Sequence, residues 1–425
     1  RTEKLKLQPI VSIENPKRTQ LFFSPITGWN NYDKGMVGLA FYNSFIPSTN
    51  FHFVLAPMYS FATKQMTGIG RLQYYVYPKS GFIKNICLNA TEIKLFHYNQ
   101  ITLDSIYLGN FFIDSPSDIN LSFYKNTIRA DLTFKNKNPK SCVKKWLTLQ
   151  NSYISKQVIG ITRFVNDDGS FSHFQAGIWQ VQYNYYQLKF SFEKQQVVNP
   201  FSYYFGIENF TPKDKDFLQR YLKIYSGWHL SGEFNCRFNY KRKSDGLGIR
   251  LYADYSPDLS NLSGFDPHLT VTPGSDDYAF DEVFLARSEQ TGFLAHQIMM
   301  NRGGMKFHNP QQLNPGIGTY GQGIIVVNLT TSLIIPLPIF AFADFGYQFS
   351  NPTYYPYKSF QYDGGIGVTV IPDVCTAYLT LFESGDIKLN TFLSSTEYGK
   401  WYNRYFFTLN FSKLVPFDKI RNLKI

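Results

Sequence analysis

One zinc-peptidase motif, His-Glu-x-x-His, sets two imidazole ligands and a catalytic carboxylate on one helix face. None of the seven histidines (His52, His97, His173, His229, His268, His296 and His308) is followed by Glu or has that spacing. The four cysteines, Cys87, Cys142, Cys236 and Cys375, form no C-x-x-C pair. They read as isolated small hydrophobes, with no disulfide expected. The glycine-rich piece 315–323 lacks the strand–loop–helix context of a phosphate loop. No catalytic residue, metal ligand or cofactor is therefore expected in this chain. What remains is a polar set. Arg287, Glu289, His296, Arg302 and His308 fall in one irregular stretch, and Glu233, Arg237, Arg250 and Asp254 fall on two alternating runs. Read as chemistry, they form a polar gate. Read as structure, they form a plug whose loop charges pair with charges on a wall, and this second reading is the one adopted.

The two runs show what the wall is. Leu230, Gly232, Phe234, Cys236, Phe238 and Tyr240 alternate with Ser231, Glu233, Asn235, Arg237, Asn239 and Lys241. Beyond the Asp245–Gly246 turn, Leu247, Ile249, Leu251, Ala253 and Tyr255 alternate with Gly248, Arg250, Tyr252 and Asp254. A period of two marks a β-strand with one apolar face, and an Asp-Gly turn joins two such strands in a hairpin. The charged face must be wet. Runs of about ten alternating residues recur along the whole chain, as in a transmembrane barrel.

Composition agrees. Aromatic residues make up 18% of the 425, with 31 Tyr and 40 Phe, which suits an apolar outer band with aromatic girdles. No run of about 18 apolar residues is present to form a transmembrane helix. The chain starts Arg-Thr-Glu-Lys without a signal peptide, which an exported barrel needs, so it reads as mature or as the C-terminal part of something longer. The net charge of +11 suits a solvated surface or contact with anionic lipid headgroups, including lipopolysaccharide. Lys and Arg are dispersed and the aromatics follow strand periodicity, so nucleic acid is not an expected partner.

Taken in order, residues 1–18 are a polar entry segment and 413–425 a basic tail. The barrel is expected over 19–412. Sixteen strands are expected at 19–29, 36–45, 50–62, 66–78, 82–98, 119–135, 142–154, 171–183, 186–195, the two of the hairpin, 322–334, 339–348, 361–370, 374–383 and 402–412. The stretch 197–228 reads as a loop, and Asn184 as the centre of a turn. Short connections then alternate with longer ones, placing short turns and both termini in the periplasm. The sixth long loop, 257–320, is the longest and is expected to fold toward the lumen.

Two resemblances follow from particular stretches. GQGIIVVNLTTSLIIPLPIFAFADFGYQF, FQYDGGIGVTVIPDVCTAYLTL and NRYFFTLNF resemble the barrel end of the outer-membrane assembly-factor and surface-antigen superfamily. That resemblance implies sixteen strands and a sixth loop with an Arg-Gly-aromatic tip inside the lumen. The tripeptide is missing; Arg287 or Arg302-Gly-Gly is the nearest counterpart. The likeness also implies partners among other outer-membrane proteins or the barrel-assembly machinery. GWNNYDKGMVGLAFYN, VLAPMYSFATKQMTGIGRLQYY, FLARSEQTGFLAHQIMMNRGG and NFSKLVPFDKIRNL resemble the C-terminal region of large gluzincin (aminopeptidase N-like) metallopeptidases of Bacteroidota. There the barrel follows a zinc peptidase domain. This second resemblance implies a membrane platform for a periplasmic domain lying upstream, with any zinc held there. Three functions are thus in play: platform, assembly or translocation barrel, and passive porin, the last disfavoured by the bulk of the sixth loop.

In the last strand, Tyr405, Phe407, Leu409 and Phe411 alternate with Arg404, Phe406, Thr408 and Asn410. The odd set reads as the lipid face. It resembles the C-terminal insertion signal of barrels, although about fourteen residues follow its last aromatic. Arg at Leu409 is expected to harm the barrel more than Arg at Thr408.

Overall fold

The computed structural model describes residues 6–9, 20–43, 50–97, 121–165, 171–213, 227–240, 245–257, 269–272, 285, 293–298, 302–308, 322–333, 337–349, 358–388 and 404–410. It is nearly all antiparallel β, with one 17-stranded sheet. The wall strands are β2 (Gln20–Asn30), β3 (Lys34–Tyr42), β4 (Phe51–Ser60), β5 (Met66–Val76), β6 (Ile83–His97) and β7 (Leu121–Phe134). They continue as β8 (Val143–Val165), β9 (Phe171–Lys194), β10 (Phe201–Pro212), β11 (Gly227–Asn239) and β12 (Gly246–Tyr255). After the sixth loop come β15 (Gly323–Ser332), β16 (Ile339–Phe349), β17 (Phe360–Ile371), β18 (Cys375–Glu383) and β19 (Tyr405–Leu409). These are sixteen strands. The seventeenth, β1 (Lys6–Pro9), lies parallel to the start of β2. Two short strands of the sixth loop, β13 (Thr270–Thr272) and β14 (Met305–His308), form their own parallel pair.

Each wall strand pairs antiparallel with its neighbour in sequence, and β12 pairs with β15 across the sixth loop. The sheet is an inside-out structure compared with a water-soluble core. Ile128 is 64% exposed and Phe205 66%, while Lys125 between β7's neighbours is 1% exposed. Apolar side chains face outward because that face meets hydrocarbon, and polar ones turn in. The hairpin faces follow the sequence pattern: Leu230, Phe234, Phe238, Leu251 and Tyr255 are exposed, whereas Ser231, Tyr252 and Asp254 are buried.

Two strand assignments need correction, and they cancel. Asn184 is not in a turn; β9 runs unbroken through it for 24 residues, paired to β8 throughout. The stretch 197–228 is not all loop; it holds β10, registered to β9 from Phe201↔Lys194 to Pro212↔Tyr183 and to β11 on its other side. The physical reason is plain in Phe201–Phe210, where Tyr203, Phe205 and Ile207 alternate with Tyr204, Gly206 and Glu208. The polar Asn184 stands among Tyr183, Tyr185 and Tyr186 and mimics a turn signal. One strand too many and one too few preserve both the total and the alternation of connection lengths.

Candidate functional site: the occupied lumen

The sixth loop enters the barrel. Its residues 302–308 run through the interior, and each charged side chain there meets an opposite charge from a different wall strand. Arg302 is buried between Glu208 of β10 and Asp254 of β12; its Nη1 lies 2.9 Å from Asp254 Oδ2, and its Nη2 contacts Glu208 Oε2. Lys306 Nζ lies 2.7 Å from Asp344 Oδ2 on β16. Burial would strip the charge from Lys306, but Asp344 and Asp363 facing it hold its ammonium above the ordinary lysine value. Buried charges persist only when paired and hydrogen-bonded, and these are.

A second tier surrounds the pairs. Arg250 donates from Nε to Glu233 Oε2 at 2.9 Å, and from Nη1 to Asn328 Oδ1 at 2.6 Å and to the Gly303 carbonyl at 2.8 Å. Asn328 in turn donates to Asp344 Oδ1 at 2.8 Å. Thr380 of β18 donates its hydroxyl to the Lys306 carbonyl at 2.8 Å. Gly303 and Gly304 have φ of +64° and +88°, in the left-handed region. A Cβ on Gly304 would sit 2.7 Å from Arg250 Nη1. The Arg-Gly-Gly sequence thus lets the chain turn directly beneath Arg250 while Arg302 reaches the wall.

Part of the lumen is dry. Met305 and Phe307 of β14 pack with Leu269, Tyr252, Ile324, Val326 and Ile387 in one buried cluster. β15 turns Ile324 and Val326 inward, where they join this cluster with Met305 and Phe307 of β14. Beside the plug a cavity of about 610 Å³ remains, lined among others by Arg129, Lys189, Tyr204, Glu233, Asn235 and Thr408.

The residues singled out from sequence divide as follows. Arg302, Asp254, Arg250 and Glu233 come together. Glu233 and Arg250 pair with each other, so Glu233 is not a direct partner of the loop. Arg237 sits beside Gly246 at the hairpin turn. Arg287 and Glu289 lie outside the described residues, as does Phe411. His229 is buried with Nδ1 3.6 Å from Asp254 Oδ1, and His296 contacts the Tyr405 carbonyl through Nδ1 at 2.6 Å. Burial of His296 against β19 holds its imidazole below the ordinary histidine value, the Tyr405 carbonyl opposing this. The sequence reading missed Glu208, Lys306, Asn328, Asp344 and Thr380. Glu208 was recoverable from β10's alternation; Asp344 was visible as the single charged residue of an apolar strand. All four cysteines are free thiols. Among the described residues no group of three or more His, Cys, Asp or Glu could hold a metal ion.

In β19 the odd set does not present a bare lipid face. Phe407 is 9% exposed, and Phe293 of the sixth loop stacks on it and on Tyr405 at ring separations of 5.4 and 5.0 Å. Phe406 and Ile298 pack together, and Thr408 lines the interior cavity.

No family profile matches the chain, and no curated protein matches its sequence. Solved structures do. BamA from Haemophilus ducreyi lacking POTRA domains 1–3 aligns over 88% of this chain and 70% of its own, at 8% identity and a TM-score of 0.42. CdiB from Acinetobacter baumannii aligns over 88% of this chain at 8% identity and a TM-score of 0.39. CdiB from Escherichia coli aligns over 86% at 11% identity and a TM-score of 0.41. This chain spans 60% and 59% of those two CdiB chains.

Proposed function

We propose that this chain forms an outer-membrane barrel with a self-occupied lumen, acting in the assembly or translocation of other outer-membrane proteins and not as a passive pore. The observation that carries this reading is Arg302. It is the Arg of an Arg-Gly-Gly turn in the longest loop, and it lies in the lumen between Glu208 and Asp254. The assembly-factor resemblance implied an Arg-bearing sixth-loop tip in that place. A lumen crossed by paired charges and a dry cluster is also poorly suited to free diffusion. The apolar outward band supports a membrane location, and the strand order is consistent with periplasmic termini. The barrel would span 19–412, between a periplasmic entry segment at 1–18 and a basic tail at 413–425. Outer-membrane lipid and lipopolysaccharide would surround it, with other outer-membrane proteins or the barrel-assembly machinery as partners. Planar-bilayer recording together with depletion in cells tests the reading. We expect no large steady conductance, and a loss of other barrel proteins from the outer membrane on depletion. Large open channels, or unchanged levels of every other barrel protein, would defeat it.

A second reading is a membrane platform for a periplasmic metallopeptidase domain. It rests on the four gluzincin-like sequence stretches alone. A His-Glu-x-x-His in the gene upstream of Arg1 would support it, and an upstream reading frame without one would remove it.

A further inference from the structure

The first and last strands of a barrel each leave one edge for the other. In the β18–β19 ladder the Thr380 amide donates to the Arg404 carbonyl at 2.8 Å, and the Asn410 amide to the Val374 carbonyl at 2.8 Å. Peptide groups alternate in direction along an antiparallel strand. The even-numbered residues of β19 therefore face β18, and Tyr405 and Phe407 point their carbonyls at the opposite edge, where β2 would pair. The sixth loop takes those carbonyls. The Ile298 amide donates to Phe407 O at 2.8 Å, His296 Nδ1 lies 2.6 Å from Tyr405 O, and Gln297 forms a parallel bridge with Phe407.

The same loop also reaches the first hairpin. The Leu285 amide donates to Gln297 Oε1 at 2.9 Å, and the Asn31 amide, just beyond β2, donates to the Leu285 carbonyl at 2.8 Å. Side chains reinforce this line of bonds. Phe293 and His296 stack on Tyr405, and Ile298 packs on Phe406 and Tyr378. At the other end of β2, Gln20–Phe23 pair with β1. Strand β19 adjoins β2 in the sheet order.

We infer that Leu285 and Phe293–Ile298 form a latch across the seam between first and last strands, made in cis by the sixth loop. The inference concerns how the barrel closes and holds for any of its functions. Arg302 lies four residues beyond Ile298, so the ion pairs in the lumen and the bonds at the seam belong to one short segment. Freeing Arg302 from Glu208 and Asp254 frees the latch.

Residue-resolved hydrogen exchange on the full chain in lipid nanodiscs tests this. In the unaltered protein the amides of Ile298 and Asn31 are expected to be protected like strand amides. Exchange of Ile298 at the rate of an unpaired loop would overturn the latch. In a variant with His296→Ala and Gln297→Ala, residues 405–409 and 20–31 should exchange about tenfold faster, as loss of one or two hydrogen bonds implies. The β7–β8 ladder should not change. Unchanged exchange at 405–409, or an equal rise in every strand, would overturn the proposal. An Arg302→Gln variant should reproduce the same selective loosening.

Discussion

The wall from β7 to β10 and the seam from β19 to β2 close the barrel by opposite means. In the wall, β8 and β9 stay in register from Val143↔Lys194 to Phe164↔His173, with a shift only at the last pair, Val165↔Phe171. In the seam, the described ladder of β19 with β18 runs from Cys375↔Leu409 to Leu379↔Tyr405, and the sixth loop bonds the Tyr405 and Phe407 carbonyls on the other edge. A long ladder is held by many equivalent bonds, so no single side chain decides it. A seam bridged by a few bonds from one segment depends on whatever holds that segment. Stability should therefore be unevenly spread, with local opening drawn from the seam.

The largest expected effect is at Arg302. Arg302→Ala leaves Glu208 and Asp254 buried without their cation, a loss of roughly 3–5 kcal/mol for a broken buried pair. A fall in the urea midpoint in lipid should accompany it, with seam exchange rising before wall exchange. A change that loosens the wall first would break the comparison. Next comes the wall's outer face. Phe205→Arg, midway along β10, should cost about 2–4 kcal/mol if it lies near the bilayer midplane. Reduced heat-modifiable folded barrel is the readout, and full tolerance would show that β10 has been given the wrong face or depth. Gly304→Ala forces a side chain into a left-handed position against Arg250 and should cost about 1–3 kcal/mol. Its exchange signature should match that of Arg302 variants. The smallest effect is at Leu409, which pairs with Cys375 at the very start of β18. That places it near an interface, where Arg costs about 0–1 kcal/mol. The sharp penalty expected from the alternation alone is thus reduced by depth. Thr408→Arg would instead remove the Thr376 amide's contact with Thr408 Oγ1 at 3.1 Å, so folded yield should separate the two only weakly.

Most of the wall was legible because a strand between lipid and lumen must alternate, and alternation survives in sequence. The faces of β11 and β12 were read residue by residue. The failures at Asn184 and at 201–212 came from polarity standing in for a turn. A total of sixteen was no protection, since paired errors keep parity. The lumen was half legible. Asp254 and Arg302 could be nominated as charges needing partners, but their pairing with Glu208, and that of Lys306 with Asp344, follows only once the curvature of the sheet brings β10, β16 and the loop to one place. The latch was not legible, because at least one partner in each of its bonds is a backbone group, and every sequence has those.

The height of β8 and β9 has its own consequence. Pairing with β7 stops at Phe123↔Lys156, and pairing with β10 stops at Tyr183↔Pro212. Beyond those points, among the described residues, the two strands pair with each other as a ribbon. At about 3.3 Å per residue, the 23 residues of β8 extend roughly 75 Å, against an apolar band about 25 Å tall. The ribbon is therefore a cantilever rooted in the best-knit part of the wall. A sideways load at its tip arrives at the rim as a bending moment, multiplied by the length of the arm.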